Sequence, residues 1–392
     1  MDEQWDGLSR ETFTGTGSLT CRRANFTLPS SIRLVQLFNG RIWFEISTQE
    51  RNDTFSPFKI RSCEFAGTLD DGRVLTVKGI EDFGRKFSPF GNDLVMSGFL
   101  PVGYFEIAQP EHPEEPSFRK IYCDLTNLPL DGRGPIQVAS KQAQIQLEQL
   151  PDYEHVLQLM KALRIGGVLC RIGITFSKPV TERRREEFTR DLCDLLSLAE
   201  RSYVWCVSQH WENADGVIVR SRYEEPKFHY SKFPRSLIST GNLTLFIQDT
   251  IDNYEMQRST WKLFWALDYY LQTMSLNSAW SQALGFFTAL ETLKQAFLDQ
   301  SGRKERPAYK IILKEMFREL KMEVGDDELK QLVELRNQII HTGSPDFAKG
   351  PWNDATSAFR RACEFGGLVE RTILTILKYQ GKFEPYDQSF SF

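Results

Sequence analysis

Two spacings of apolar residues divide the chain. Over residues 1–150 they recur at every second position. In RIWFEIST, Ile42, Phe44 and Ile46 fall on one side, the period of a strand with one face buried. CEFAGTLDDGRVLTV sets Asp71 and Gly72, a tight-turn pair, between two strand-like runs and predicts a hairpin. FTGTGSLT reads only as a glycine turn. AQIQLEQL continues the period of two through Ala143, Ile145 and Leu147, after which PDYEHVLQLMKAL changes to helical spacing. Residues 1–150 are therefore expected to be a β-rich domain, a sandwich or a partly open barrel.

Residues 151–230 mix the two periods. VLCRIGITFS, YVWCVSQHW and GVIVRSRY read as strands, and a helix is predicted from about Thr181 to Ala199. This α+β segment is expected to pack with the first domain. The polar stretch EEPKFHYSKFPRSLISTGN then reads as a linker.

Beyond it the strand signal disappears, and residues 244–392 read as helices. LTLFIQDTIDNYEM, WKLFWALDYYLQTM, AWSQALGFFTALETLKQAFLDQ, AYKIILKEMFREL, DDELKQLVELRNQIIH and a last run from about Asn353 to Tyr379 are joined by short polar stretches, so an antiparallel bundle is predicted. The expected class is α+β: a β-rich amino-terminal half followed by an all-α bundle.

The fifth of these helices has well-signalled ends. Gly325, Asp326 and Asp327 supply capping chemistry at its start, and Gly343 with Pro345 closes it after His341. At about 100° per residue, Leu329, Leu332, Val333, Leu335, Ile339 and Ile340 cover one arc of the helix. Arg336 lies inside that arc. A guanidinium stays protonated, so in a buried setting it needs a carboxylate, a carbonyl or a phosphate. Asn337 and His341, four apart, share a neighbouring face to which the long Arg336 side chain can lean. His341 also sits in the last turn, where the helix dipole favours an imidazolium. Two readings follow. Either the three groups converge on an anion, or Arg336 is structural, paired with Glu291 or Glu334, and His341 is a cap.

Composition narrows the chemistry. The 392 residues are enough for two or three domains, and 41% hydrophobic with 26% charged residues is ordinary for a folded protein. A net charge of −4 excludes a globally basic nucleic-acid binder, so any polyanion site must be local. The opening MDEQWDG does not read as a secretory signal, and no segment reads as membrane-spanning: LQLMKALRIGGVLCRIGITF is interrupted by Lys161, Arg164 and Arg171. Seven cysteines without a CxxC pair suit free thiols and a cytoplasmic setting. His112, His155, His210 and His229 lack metal-ligand spacing, and no phosphate-binding glycine loop follows a strand, so neither metal nor cofactor is expected.

LVELRNQIIHTG together with FFTALETLKQAF resembles the HEPN domain family, in particular its ApeA-like branch, over about residues 244–380. The family's signature is an arginine followed by a polar residue, with a histidine after four to six intervening residues; Arg336, Asn337 and His341 fill these positions. Glu291 in ALETL falls where such domains carry an acidic residue on an earlier helix. GSLTC and EFAGTLDDGRVLTV are similar to the amino-terminal domain of ApeA-type anti-phage proteins.

The resemblance implies a metal-independent ribonuclease that cuts host RNA, transfer RNA among the candidates, when infection is sensed through the amino-terminal half. RNA supplies its own 2′-hydroxyl nucleophile, so 2′,3′-cyclic phosphate and 5′-hydroxyl ends are expected. General acid–base help wants two proton-transfer groups, and the helical half has one histidine. A homodimer or higher homo-oligomer that brings two His341 and two Arg336 side chains to one phosphate is therefore expected. Asn337 would orient the phosphate or the imidazole, and Glu291 would hold Arg336.

Arg303, Lys304 and Arg306 in SGRKERPAYK are candidate contacts to the RNA backbone, against plain solubility. The run TERRREEFTR reads as a solvated face. Trp261, Phe264, Trp265 and Tyr269 recur at helical spacing and read as core or dimer interface, with base stacking the lesser alternative. The competing functional readings are a non-catalytic HEPN module that dimerises or binds nucleotide, and a toxin restrained by a separate antitoxin.

Overall fold

The computed structural model describes residues 8–21, 26–48, 63–80, 88–90, 93–100, 104–110, 120–130, 135–163, 165–213, 215–226, 236–276, 278–302, 308–342 and 355–386. The chain is α+β, with the strands in its first 224 residues and all but two of its described helices after them. Its contacts divide it into two compact units. One holds Met1–Gln137, Gln142–Glu186 and Trp205–Tyr230; the other holds Val138–Lys141, Glu187–Val204 and Ser231–Phe392.

The strands open with β1 (Ser9–Cys21), β2 (Phe26–Leu37), β3 (Ile42–Thr48), β4 (Cys63–Leu69) and β5 (Val74–Ile80). Next come β6 (Ser88–Phe90), β7 (Asp93–Phe99), β8 (Tyr104–Ala108), β9 (Lys120–Thr126), β10 (Ile136–Ala139) and β11 (Ala143–Gln149). After helix α1 (Tyr153–Leu163) come β12 (Val168–Phe176), helix α2 (Glu182–Glu200), β13 (Cys206–Glu212) and β14 (Ile218–Glu224). All join one sheet in the order β10-β11-β12-β9-β13-β14-β8-β5-β4-β1-β2-β3-β7-β6. The pairings described are antiparallel, and the Asp71-Gly72 hairpin joins β4 to β5, with Gly72 at φ +88.

The sheet curls over its own apolar face. Alternate residues of β1 to β5, β7, β8 and β14, among them Leu19, Ile32, Phe44, Phe65, Val77, Phe105 and Tyr223, form one core that contains no helix residue. Side chains at the start of β1 also reach strands that are not its neighbours in the sheet. Arg10 Nη2 donates to Asp124 Oδ2 of β9 at 3.1 Å, and the Tyr223 hydroxyl of β14 donates to Glu11 Oε2 at 2.7 Å. A partly open barrel, rather than two facing sheets, accounts for both observations.

FTGTGSLT is not a turn but the middle of β1. The glycines serve a close approach between strands: a Cβ on Gly17 would lie 2.2 Å from the Ala66 carbonyl oxygen, and one on Gly67 2.2 Å from that of Thr16. A side chain at either position would force β1 and β4 apart.

A polar hub lies inside the curl. The buried Asp124 carboxylate accepts from Arg171 Nε at 2.7 Å and from Arg171 Nη2 and Arg10 Nη2 at 3.1 Å, and His210 Nε2 stands 3.8 Å away. Burial would raise its pKa, but His210 and the two guanidiniums outweigh burial and hold the carboxyl well below the usual carboxylate range. His210 Nδ1 also lies 2.9 Å from the Ser221 hydroxyl. The residue types of a hydrolase triad thus meet here, but Ser221 and His210 are each 5% exposed, which leaves a substrate no approach. All seven cysteines are free thiols.

In the second unit, α3 (Thr240–Gln257), α4 (Leu263–Met274), α5 (Ala279–Ser301), α6 (Tyr309–Glu319), α7 (Asp326–Thr342) and α8 (Ala355–Ile376) follow the predicted helices closely. Trp261 and Lys262 precede α4, because Lys262 takes a left-handed conformation, φ 53, that breaks the helical path. Helix α5 is central and packs against α4, α6, α7 and α8. A second buried hub ties this unit together. Glu370 of α8 accepts from Arg201 Nε at 2.7 Å and Nη2 at 2.9 Å, from the Tyr386 backbone N–H at 2.9 Å, and from the Tyr270 hydroxyl of α4. Both members of the ion pair have side chains that are 0% exposed.

Candidate active site

Helix α7 starts with three acidic residues, Asp326, Asp327 and Glu328, in the turn where the helix dipole favours negative charge. Leu329, Leu332, Leu335 and Ile339 are buried, whereas Val333 is half-buried and Ile340 is 49% exposed. The core thus takes one side of the predicted arc. The other side, with Arg336 and Ile340, opens into a cleft.

That cleft, of about 430 Å³, is lined by Lys262, Trp265 and Tyr269 at the start of α4 and along it, by Leu284, Phe287, Thr288, Glu291, Thr292 and Gln295 of α5, and by Arg336 and Ile340 of α7. Its α4–α5 wall depends on Gly285. A Cβ there would lie 1.8 Å from Thr273 Oγ1, so only glycine lets the two helices approach this closely.

Arg336 is half-buried. It donates from Nη1 to Asn337 Oδ1 at 3.2 Å, and its guanidinium lies 4.4 Å from the centre of the Tyr309 ring of α6. Lys294 Nζ lies 4.8 Å from the same ring. Each cation is attracted to the face of the ring, which holds the Arg336 guanidinium in place without neutralising it. Among the described residues no carboxylate forms an ion pair with Arg336: Glu291 accepts from Lys294, and Glu334 pairs with Lys330 at 3.9 Å. Glu291 and Arg336 therefore line one cleft without bonding to each other.

Two buried polar atoms near this site, Glu291 Oε2 and the Tyr309 hydroxyl, have no well-formed hydrogen bond among the described residues. Burial pushes the Tyr309 phenol well above its ordinary pKa, the Glu291 charge adds to this, and Arg336 opposes it. The phenol is therefore a neutral donor at every physiological pH. Asn337 is exposed and uses its oxygen on Arg336, which leaves its amide N–H groups for a ligand. The arrangement offers a guanidinium that no carboxylate pairs among the described residues and an amide donor, both of which an oxyanion can accept from, while the Glu291 carboxylate in the same cleft would repel one.

His341 is the penultimate residue of α7, one turn beyond Asn337; its side chain lies outside the described residues, as do Arg303, Lys304 and Arg306. The aromatic run divides. Trp261 is 8% exposed and belongs to the core, whereas Phe264 at 39%, Trp265 at 55% and Tyr269 at 37% face outward. The core reading of these three is thereby corrected. The buried side of α4 holds Leu263, Ala266, Leu267, Tyr270, Leu271 and Met274, with Tyr270 5.9 Å from Phe286 of α5 between ring centres. Tyr309 went unnoticed in the sequence, where nothing but its place at the first turn of α6 marks it.

No protein-family model, curated protein or solved structure matches the chain. Among the described residues no helix is long and apolar enough to cross a membrane.

Proposed function

We propose that the protein is a metal-independent HEPN-type endoribonuclease of an anti-phage system, acting in the cytoplasm as a homodimer or larger homo-oligomer. Its helical unit cuts RNA, with transfer RNA a candidate substrate, and its β-rich half receives a phage-derived trigger. The observation that carries this reading is the state of Arg336. It lines an open cleft, held by Tyr309 and Asn337, with no carboxylate pairing it among the described residues. A structural arginine would be paired; an arginine kept for a substrate anion would not.

In the proposed reaction the ribose 2′-hydroxyl attacks the adjacent phosphorus, the bond from phosphorus to the 5′-oxygen breaks, and 2′,3′-cyclic phosphate and 5′-hydroxyl ends form. One His341 takes the 2′-hydroxyl proton, and the partner copy's equivalent histidine protonates the departing oxygen. Arg336 holds the non-bridging oxygens as charge builds on them. Asn337 orients the phosphate through its free amide. Glu291 acts on the Arg336 side of the cleft through Lys294 and Tyr309 rather than by a direct bond.

The test is cleavage by the full-length protein with EDTA present, comparing wild type with Arg336→Ala and His341→Ala of unchanged fold and oligomeric state. Loss of cleavage in both supports the assignment. Cleavage retained by His341→Ala would sink it.

A further inference from the structure

A second cleft, of about 320 Å³, continues from the first and shares Lys262 and Trp265 with it; Arg190, Arg258, Ser259 and Phe264 complete its lining. Both clefts lie wholly within the helical unit. Arg190 belongs to TERRREEFTR, which as sequence alone looks like a solvated face, yet it is the residue of that run that lines this groove. It is exposed, and no hydrogen bond or ion pair engages it among the described residues. Arg258 is bonded to the buried Asp191, and Lys262 Nζ lies 2.7 Å from Asp299 Oδ2.

At the junction stands Trp265, more than half exposed, with Phe264 edge-on to it at 5.1 Å between ring centres. Guanidiniums without a carboxylate partner among the described residues therefore stand in both clefts beside the aromatic pair, Arg190 in one and Arg336 in the other, with Arg258 paired to Asp191 in the first and Lys262 paired to Asp299 in both. Tryptophan and arginine are also common at the core of a protein–protein interface, but lysine is depleted there, and Lys262 stands at this junction. A single-stranded nucleic acid requires the alternation found here, a ring for a base and cations for the phosphates on either side. A duplex keeps its bases stacked and could use only the cations.

We infer that the two clefts form one track for single-stranded RNA, in which a base stacks on Trp265, a flanking phosphate meets Arg190, and the strand continues to Arg336. This rests on the ribonuclease reading for what happens at Arg336, but the track binds RNA whether or not a bond is cut. The substrate class is thereby a loop or single-stranded segment rather than a paired stem.

The probe is a fluorescein-labelled 2′-O-methyl oligouridylate of about ten nucleotides, within the usual footprint of such grooves. It lacks the nucleophilic hydroxyl and stays whole, so binding is read apart from cleavage. Arg258 is left unchanged because it neutralises Asp191; the variants are Trp265→Ala and Arg190→Ala, both at exposed positions without structural pairing. Trp265→Ala is expected to weaken binding roughly 10-fold. Arg190→Ala is expected to lower the salt slope of log K by about 0.7, one phosphate contact on a single strand. The same sequence as a duplex should bind markedly less tightly.

Absent binding by wild type, undiminished binding by both variants, or equal binding of the duplex would each overturn the track. So would a shift of Trp265→Ala from dimer to monomer in sedimentation, which would make this face a contact between copies. Cleavage retained by His341→Ala would sink the nuclease assignment and leave these binding outcomes to be judged on their own.

Discussion

Arg336 carries a full charge in a half-buried place and spends it on a ring and an amide rather than on a carboxylate. Truncating it should therefore cost little stability. Arg336→Ala is expected to unfold within about 1 kcal/mol of wild type, the loss of one cation–π contact, while abolishing cleavage; denaturant melts beside activity assays would check this. Glu370 is the opposite case. Its removal leaves the Arg201 guanidinium buried and unpaired, so Glu370→Ala is expected to cost about 3–5 kcal/mol, whereas replacing both partners with apolar residues should cost much less. Equal losses from Arg336→Ala and Glu370→Ala in the same melts would contradict the distinction between a functional and a structural arginine. The difference between these two arginines was not visible in the sequence. Glu370 sits in the apolar run GGLVERTILTI and could have been suspected of a buried partner, but nothing local names Arg201, which comes from far along the chain.

At the level of elements, the helices were legible where a strong period met clear ends, as in α7 with its acidic first turn. FTGTGSLT misled because glycine signals a turn in isolation, while here it serves contact between β1 and β4, which only the assembled sheet reveals. For the aromatic stripe of α4 the sequence left core and interface both open for a related reason: periodicity shows that a helix has two faces but not which one finds a neighbour. Gly285 decides how closely α4 meets α5, so Gly285→Ala is expected to destabilise by about 1–3 kcal/mol through overpacking against Thr273 and to widen the cleft. Unaltered melting and RNA binding in that variant would show that the wall adapts freely.

Helix α2 carries a pH dependence of its own. Burial raises the Asp194 carboxyl to about 7, against the pull of the Tyr254 hydroxyl that donates to it at 2.7 Å; Asp191 adds to the rise, and Arg190 and Arg258 oppose it. The folded state then holds a proton that the unfolded chain releases near pH 4. This stabilisation is full below about pH 4 and is lost as pH rises to about 7, a change on the order of a few kcal/mol. Asp194→Asn should flatten the fall between those limits. A wild-type melting curve that stays level from pH 4 to 7 would contradict the raised value.

Taken as one molecule, the chain is mildly acidic, at −4, yet it gathers Arg190, Arg258, Lys262 and Arg336 around a continuous pair of clefts. Arg258 and Lys262 are paired with Asp191 and Asp299, so the two guanidiniums left without a carboxylate among the described residues, Arg190 and Arg336, favour a partner held at one place rather than general adhesion to polyanions. The α+β division, a curled sheet followed by a bundle, was readable from the switch in period near residue 240. The cleft was not, because its walls come from three helices and a turn whose spacing only packing sets. The central claim concerns bond cleavage by Arg336 and His341, and the most direct measurement is end-mapping of RNA from cells that express wild type or His341→Ala, with and without phage challenge. The account predicts 2′,3′-cyclic phosphate and 5′-hydroxyl ends that accumulate on challenge in wild type alone. Identical end profiles in the two strains would contradict it.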